Sequence, residues 1–257
     1  MIALTLGDVA AAVGGRLEGG ADPATRVTGF STDSRSAHAG DLFVAVVGEH
    51  HDAHDFAGQA AAGGAVAALA SRTLDVPAVV VDDDTVLALG RLARWVVDRM
   101  PDLVVVGITG SSGKTSTKDL MAQVVAELGP VVAPQGSFNT EVGLPLTALQ
   151  VDERTRVLVS EMGARGLGHI AYLCTVTPPR IGVVLNVGSA HVGEFGSREN
   201  IAVTKGELVE SVPPAADGGV AVLNADDDLV AAMAPRTRGR VVRYGRSAEA
   251  DVRAEDE

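Results

Sequence analysis

The 257-residue sequence is 46% hydrophobic, has a formal net charge of −12 and contains one cysteine. This length and apolar content suit two globular domains with real cores and exclude a single small module. The acidity argues against a broad nucleic-acid surface, because binding many phosphates requires clustered Lys and Arg side chains.

The start of the chain and its apolar runs bear on location. The first 15 residues lack a basic segment, and no apolar run approaches the roughly 18 residues that cross a bilayer. A lone cysteine cannot form an intramolecular disulfide. We therefore expect a cytoplasmic protein without membrane insertion.

Residues 1–100 are predicted to form a small α/β domain. Short β-rich runs alternate with helix-like stretches from residue 26 onward. A helix over 84–100 shows apolar residues at helical spacing, and Pro101 ends it. We place the domain boundary near residue 100.

Residues 101–257 are predicted to form a second α/β domain with a mostly parallel sheet. A strand at 103–108 leads through a glycine loop into a helix at 114–128 and a strand near 131. Strands then alternate with helices to residue 244, and the last helix is predicted over 226–234. The strands at 156–161 and 181–187 are almost continuously apolar, as expected when helices cover both faces of a sheet. The tail at 250–257 lacks an apolar pattern and is expected to add no closing element.

A phosphate-binding loop is the strongest motif. Its residues are Thr109, Gly110, Ser111, Ser112, Gly113, Lys114, Thr115 and Ser116. Glycines let the backbone approach phosphate oxygens, Lys114 reaches the β- and γ-phosphates, and the Thr115 hydroxyl can ligate Mg²⁺. The strict spacing would put glycine at Ile108, whereas Gly107 comes one residue early, so the loop is a variant P-loop. We predict nucleotide binding.

The sequence alone leaves the roles of several other polar residues open. Glu161 ends a predicted strand, where it is either a surface residue or a Mg²⁺ ligand. From the sequence alone, we interpret His191 as an ordinary exposed imidazole and Lys205 as a solvated lysine on a helix. Asn139 and Thr140 lie in a loop, where turn formation and ligand contact are both compatible with their types.

The first domain has a further polar segment. Ser31, Asp33, Ser34 and Arg35 follow a strand and form either a polar turn or a site that offers a hydroxyl, a carboxylate and a guanidinium to a uridine diphosphate. His50, His51 and His54 lack the spaced partners of a zinc site, so we interpret them as loop residues. Cys174 is predicted to lie in the core.

Several longer segments together resemble the Mur ligase superfamily of ATP-dependent amide-forming enzymes. They are SFNTEVGLPLT, VLVSEMGA, LNVGSAHVGEFGSRENIAVTKGE and LNADDD, between residues 137 and 228. The amino-terminal segment STDSRSAHAGDLFVAVVGEHHDAHDF is similar to the family's uridine-nucleotide domain. Within the superfamily, the pattern most resembles the ligases that join D-alanyl-D-alanine to UDP-N-acetylmuramoyl-tripeptide in peptidoglycan synthesis.

The resemblance implies an ATP-dependent carboxylate–amine ligase that works through an acyl phosphate. It implies catalytic roles for Lys114, His191 and Lys205, and Mg²⁺ ligation by Thr115, Glu161, His191 and Lys205, with Lys205 carbamylated. It also implies that Ser31, Asp33, Ser34, Arg35, Asn139 and Thr140 bind the UDP-linked substrate. We expect a monomer.

The family architecture has three domains, of which this sequence resembles the first and much of the second. We therefore expect a fragment without the carboxy-terminal ligase domain and with low or no activity alone. Two alternatives stay open: another Mur-type or folylpolyglutamate-type ligase, and a non-catalytic nucleotide-binding module. The segment around Asp33 favours a UDP-sugar over folate, and the sequence contains no NKxD motif of the kind that reads guanine.

Overall fold

A computed structural model describes residues 1–188 and 195–255, and the chain forms two compact units, Met1–Arg99 and Met100–Glu257. Both units contain helices and a largely parallel sheet, so the predicted mixed α/β class with a parallel sheet is confirmed. Within the described residues, no helix is long and apolar enough to span a membrane.

The first unit is built on a five-stranded sheet with the order β2-β7-β6-β5-β4. Its strands are β1 (Leu4–Thr5), β2 (Arg16–Glu18), β3 (Arg26–Val27), β4 (Gly29–Ser31), β5 (Asp41–Val44), β6 (Ala67–Ala70) and β7 (Ala78–Val80), where β1 and β3 form a separate antiparallel pair. Strands β4 to β7 run parallel, and β2 joins β7 antiparallel.

The helices of this unit are α1 (Leu6–Val13), α2 (Ala57–Ala62) and α3 (Thr85–Val97). The helix predicted over 84–100 is α3, and it starts where the Asp84 carboxylate accepts the backbone N–H of Val86. Helix α1 lies before the first predicted element; a capping box between Thr5 and Asp8 starts it.

The second unit contains a seven-stranded, fully parallel sheet with the order β14-β13-β12-β11-β8-β10-β9. Its strands are β8 (Val104–Thr109), β9 (Val131–Val132), β10 (Val157–Glu161), β11 (Ile181–Val184), β12 (Val220–Asn224), β13 (Arg240–Gly245) and β14 (Val252–Arg253). Its described helices are α4 (Lys114–Val125), α5 (Gly143–Ala148), α6 (His169–Val176), α7 (Arg198–Glu210) and α8 (Asp228–Ala231).

Both faces of this sheet are covered, which explains the continuous apolar runs of its strands. Val106 and Ile108 belong to a cluster that also contains Met121 of α4. On the opposite face, a Cβ atom at Gly107 would lie 2.8 Å from Leu208 of α7. Gly107 is therefore a packing residue inside β8 rather than a glycine of the phosphate loop.

Two expectations for the end of the chain were wrong. The tail at 250–257 contains the short strand β14, which pairs with β13 because Asp251 turns the chain by accepting the backbone N–H of Arg243. The helix predicted over 226–234 is limited to α8, a single turn that the Asp227 carboxylate caps.

Candidate nucleotide and metal site

The central strand of the second unit, β8, marks the point where the strand order reverses. Parallel α/β sheets bind ligands beyond the carboxyl ends of strands at such a point. The loop after β8 carries Lys114, β10 ends at Glu161, and Asn186 follows β11. Three chain segments therefore deliver polar side chains to one edge of the sheet.

The phosphate loop has a defined conformation. Gly113 precedes α4 with φ of 78°, a left-handed geometry that favours glycine. The Asn186 amide oxygen accepts the backbone N–H groups of Ser111 at 3.0 Å and Ser112 at 3.1 Å. These two donors face Asn186, whereas the first N–H groups of α4, from Lys114 onward, have no acceptor within their helix. The start of α4 is thus the best placed anion-binding element of the loop.

Thr109 and Ser116 were also predicted to belong to the phosphate loop, but their side chains have different environments. Thr109 is fully buried, and its hydroxyl donates to the Met162 carbonyl oxygen at 2.9 Å, so this side chain joins the ends of two strands. Ser116 is exposed on the first turn of α4.

Glu161 is a buried carboxylate, only 1% exposed. Its Oε2 atom accepts the Thr115 hydroxyl at 3.1 Å, and its Oε1 atom accepts the Asn139 amide at 2.8 Å. Both donors are neutral groups. A buried carboxylate in such surroundings favours a nearby cation, because burial penalises an uncompensated charge.

Lys114 and Lys205 line one cavity of about 180 Å³. The Lys114 ammonium donates to the Gly110 carbonyl oxygen at 2.8 Å; burial lowers the pKa of Lys114, and the charge of Glu161 opposes that shift. Burial and the nearby Lys114 charge lower the pKa of Lys205 to about 8. The two lysines and Arg165, which also lines the cavity, supply the positive charge that a binding site for anions requires.

The residues next to Lys205 explain how α7 presents it. A Cβ atom at residue 206 would lie 1.8 Å from the Arg236 guanidinium, so Gly206 makes room for that side chain, which donates to the Val203 carbonyl oxygen. The Glu207 carboxylate accepts the backbone N–H groups of Gly168 and Ala171 and so caps α6. Both contacts fix the helix that carries Lys205.

The described donor set fits a hard divalent cation. The Thr115 hydroxyl and the Glu161 carboxylate supply adjacent oxygen atoms, the ligand type that Mg²⁺ prefers. Among the described residues, no three His, Cys, Asp or Glu side chains cluster as a complete metal site. His191, the remaining predicted ligand, lies outside the described residues.

Sequence reasoning missed four residues of this region. Glu141, Arg165 and His169 line the cavity together with the predicted Asn139 and Thr140, and Asn186 supports the phosphate loop. The segment directly after Glu161 was a usable indication, because a loop that follows a strand at the ligand edge of a parallel sheet usually borders the site.

The first unit has its own cavity, of about 540 Å³. Asp33, Ser34 and Arg35 line it, as does Thr32, which was not predicted. The Arg35 guanidinium donates to both Asp33 oxygens and holds the pKa of this carboxyl at about 2. Ser31 is buried and forms a turn with the Asp33 backbone.

Two further predictions have clear outcomes. Cys174 is 5% exposed, which confirms its place in the core, and burial raises its pKa to about 12. The interpretation of His54 as a loop residue was wrong. It lies in the 3-10 helix Ala53–Phe56 and is 3% exposed, because its ring bonds to Asp52 and to the Ser71 backbone.

Comparisons with known proteins agree with this architecture. Residues 108–257 match the Mur ligase middle domain, and residues 26–101 match a Mur ligase family domain described as catalytic. The UDP-N-acetylmuramoyl-tripeptide--D-alanyl-D-alanine ligase of Mycobacterium tuberculosis is 49% identical over 98% of this chain and 54% of its own length. The Escherichia coli enzyme of the same name is 41% identical over 89% of this chain and 49% of its own length.

Solved structures give the same result. A crystal structure of MurF from Acinetobacter baumannii superposes with a TM-score of 0.89 at 32% identity, over 98% of this chain and 54% of that one. MurF from Thermotoga maritima in complex with ADP gives a TM-score of 0.77 at 37% identity, over 86% and 51%. The chain spans about half the length of the relatives it matches. Because the middle-domain match alone covers residues 108–257, more than half of the sequence, the chain belongs to the Mur ligase family.

Proposed function

We propose that this chain binds ATP and Mg²⁺ in its second unit and serves ATP-dependent amide ligation. The observation that carries the proposal is the convergence of Lys114, Lys205 and the Glu161–Thr115 pair at the carboxyl edge of one parallel sheet. The relative crystallised with ADP supports the choice of an adenine nucleotide.

The reaction we propose has two steps. A carboxylate oxygen of the substrate attacks the γ-phosphorus of ATP, and the bond to the β-phosphate oxygen breaks, which gives an acyl phosphate and ADP. The amine of the second substrate then attacks the acyl carbon, loses a proton and expels phosphate. Positioning and charge neutralisation dominate such chemistry.

We assign charge neutralisation to Lys114 and to a bound metal ion. A carboxylate and a triphosphate at near contact repel each other by several kcal/mol in a partly dry site. Lys114, on the phosphate loop, is placed to neutralise the β- and γ-phosphates. Bound at Thr115 and Glu161, with His191 and carbamylated Lys205 as further proposed ligands, Mg²⁺ would supply additional positive charge.

Carbamylation of Lys205 is supported by its burial and by its pKa of about 8. The neutral amine attacks CO₂, forms an N–C bond and releases one proton, which leaves a carboxylate-like group. This change removes one of two neighbouring cations and adds oxygen ligands for a metal. ¹³C-bicarbonate should give a carbamate NMR resonance in the wild-type chain that is lost in Lys205→Arg; no such resonance would exclude the modification.

For the substrates, we propose UDP-N-acetylmuramoyl-tripeptide and D-alanyl-D-alanine, which the names of the relatives give for those enzymes. The cavity at Asp33, Ser34 and Arg35 is the proposed uridine-nucleotide site, and Asn139 and Thr140 the proposed contact of the peptide end. We propose a monomer that works in the cytoplasm, where ATP and UDP-linked precursors are available.

Hydroxylamine trapping tests the proposal. Acyl phosphates react with hydroxylamine to give hydroxamates, so the chain is incubated with Mg²⁺, ATP and each acceptor in turn. We expect a hydroxamate with UDP-N-acetylmuramoyl-tripeptide and none with a folate acceptor. Because the chain spans half of its relatives' length, a small yield is compatible with the proposal, whereas nucleotide binding without any hydroxamate would favour a non-catalytic binding module.

A further inference from the structure

A buried histidine in the first unit contacts two chain segments at once. The Nδ1 atom of His54 lies 2.5 Å from the Asp52 carboxylate, and its Nε2 atom accepts the backbone N–H of Ser71 at 2.9 Å. Because Nε2 is an acceptor, the ring proton lies on Nδ1, where it faces Asp52. The neutral imidazole therefore satisfies both partners.

Asp52, His54 and Ser71 are also the residue types of a hydrolase triad, but their geometry assigns another role. The Ser71 hydroxyl lies 3.2 Å from Nε2, whose lone pair already accepts the Ser71 backbone N–H. A general base needs that lone pair to take the hydroxyl proton. The imidazole thus joins two segments and does not activate Ser71.

One of those segments forms a wall of the cavity at Asp33. Residues 46–53, which we call the cavity hairpin, close on themselves through hydrogen bonds from Ala53 to Val46 and from Gly48 to His51. All four of these residues line the cavity. His54 directly follows the hairpin, and Ser71 directly follows β6. The imidazole therefore connects the base of the hairpin to the end of a central strand.

The other polar contacts in this area are weaker. Arg72 pairs with Asp55 at 2.6 Å and lies 3.7 Å from Asp52. These side chains are 38 to 68% exposed, and exposed ion pairs contribute little because water and salt screen them. His54 is 3% exposed, so its hydrogen bonds are shielded.

We propose that His54 is a positioning residue: through Asp52 and Ser71 it fixes the cavity hairpin on the sheet and thereby sets the shape of the uridine-nucleotide cavity. The identity of the ligand rests on the proposed function. The fixing of the hairpin does not, and it is measurable without a ligand.

Two substitutions separate the contacts of the ring. The asparagine amide reaches the Nδ1 position, so His54→Asn keeps the Asp52 contact and loses Ser71. The glutamine amide reaches the Nε2 position, so His54→Gln keeps an acceptor for the Ser71 N–H. His38→Asn is the matched control, because the His38 side chain is 83% exposed.

Hydrogen exchange of the full chain is measured first. We expect His54→Asn to speed exchange in residues 46–53 about tenfold, the factor that corresponds to one net hydrogen bond, and His54→Gln to have a smaller effect. Binding of UDP-N-acetylmuramoyl-tripeptide should weaken in the same order, while ATP binding and the His38→Asn control stay unchanged.

Two exchange results would overturn the proposal: wild-type rates in the cavity hairpin of His54→Asn, or a uniform increase over residues 1–99, which would mean general destabilisation. Wild-type exchange behaviour of His54→Gln together with faster exchange in His54→Asn supports it. If the wild-type chain does not bind the UDP ligand, the proposed function and the nucleotide part of this inference fail, and the exchange rates alone decide whether His54 fixes the hairpin.

Discussion

The two cavities of this chain differ in how far their charged side chains are buried and paired. In the second unit, burial lowers the pKa values of Lys114 and Lys205, and the buried Glu161 carboxylate accepts hydrogen bonds only from neutral donors. In the first unit, Asp33 and Arg35 form an exposed bidentate pair. Charges that the protein compensates only in part gain most when a charged ligand arrives, whereas a satisfied pair must exchange partners. We therefore expect substitutions to have larger effects in the second cavity.

The largest effect is expected for Lys114→Ala. This substitution removes the cation of the phosphate loop and should weaken ATP binding about 100-fold, as for loss of a strong charged hydrogen bond. Isothermal titration calorimetry measures the affinity, and circular dichroism should show an unchanged fold. Arg154→Ala, at a side chain that is 84% exposed, is the control. Normal ATP affinity in Lys114→Ala would defeat the assignment of the loop.

Glu161→Gln removes the charge of this side chain and keeps its shape. The amide can still accept from Asn139 and donate to Thr115, so the fold should keep its stability or gain some, because a buried charge is removed. The enhancement of ATP binding by Mg²⁺ should fall about tenfold, as for one charge-assisted interaction. The titration is repeated with Mg²⁺ and with EDTA; an unchanged Mg²⁺ effect would place the metal elsewhere.

Lys205→Met tests the cost of the second buried cation. Burial lowers the pKa of Lys205 from 10.5 to about 8. Below pH 8 both the folded and the unfolded chain hold the proton, and the folded state carries the full penalty; between pH 8 and 10.5 only the unfolded chain keeps it, so wild-type stability rises. In CO₂-free buffer, Lys205→Met should therefore be more stable than wild type by roughly 1–3 kcal/mol at pH 7.

The advantage of Lys205→Met should shrink as the pH rises from 8 to 10.5. Urea denaturation at each pH measures the free energy of unfolding of both proteins. A difference that does not vary with pH would mean that the Lys205 amine is well solvated.

The smallest effect is expected in the first cavity. Asp33→Asn releases the Arg35 guanidinium and removes an anion beside it, so UDP should bind about threefold more tightly, within the range of exposed ion pairs. Fluorescence competition with a labelled uridine nucleotide measures the change. Arg35→Ala should weaken binding instead; tighter binding in both variants would place the diphosphate away from Arg35.

Local sequence patterns predicted much of the fold. Strand β8, the phosphate loop and helix α4 follow from an apolar run, glycines and a helix start that all agree. The limits of β9 and α8 could not be predicted, because sheet pairing and a long-range cap set them. Strand β14 escaped prediction for the same reason: two residues carry no periodicity, and the turn at Asp251 places them beside β13.

The site was less predictable than the fold, because its contacts join residues far apart in sequence. The motif identified Lys114 and Thr115, but the hydrogen bond that the Ser111 backbone N–H donates to the Asn186 side chain spans 75 positions and has no local pattern. The sequence suggested that Gly107 is a displaced glycine of the phosphate loop. In the structure, its missing side chain makes room for Leu208. His54 shows the converse, since sequence alone does not distinguish this buried histidine from the exposed His50 and His51 a few residues earlier.

The central claim is that a triphosphate and a divalent cation share the crevice at the carboxyl edge of the second sheet. A crystal structure of the full chain with Mn²⁺ and a non-hydrolysable ATP analogue tests it most directly, because Mn²⁺ replaces Mg²⁺ and is located by its anomalous signal. We predict the β- and γ-phosphates at the start of α4 beside Lys114, and a manganese peak next to Thr115 and Glu161. Nucleotide bound elsewhere, or a metal distant from Glu161, would contradict the account.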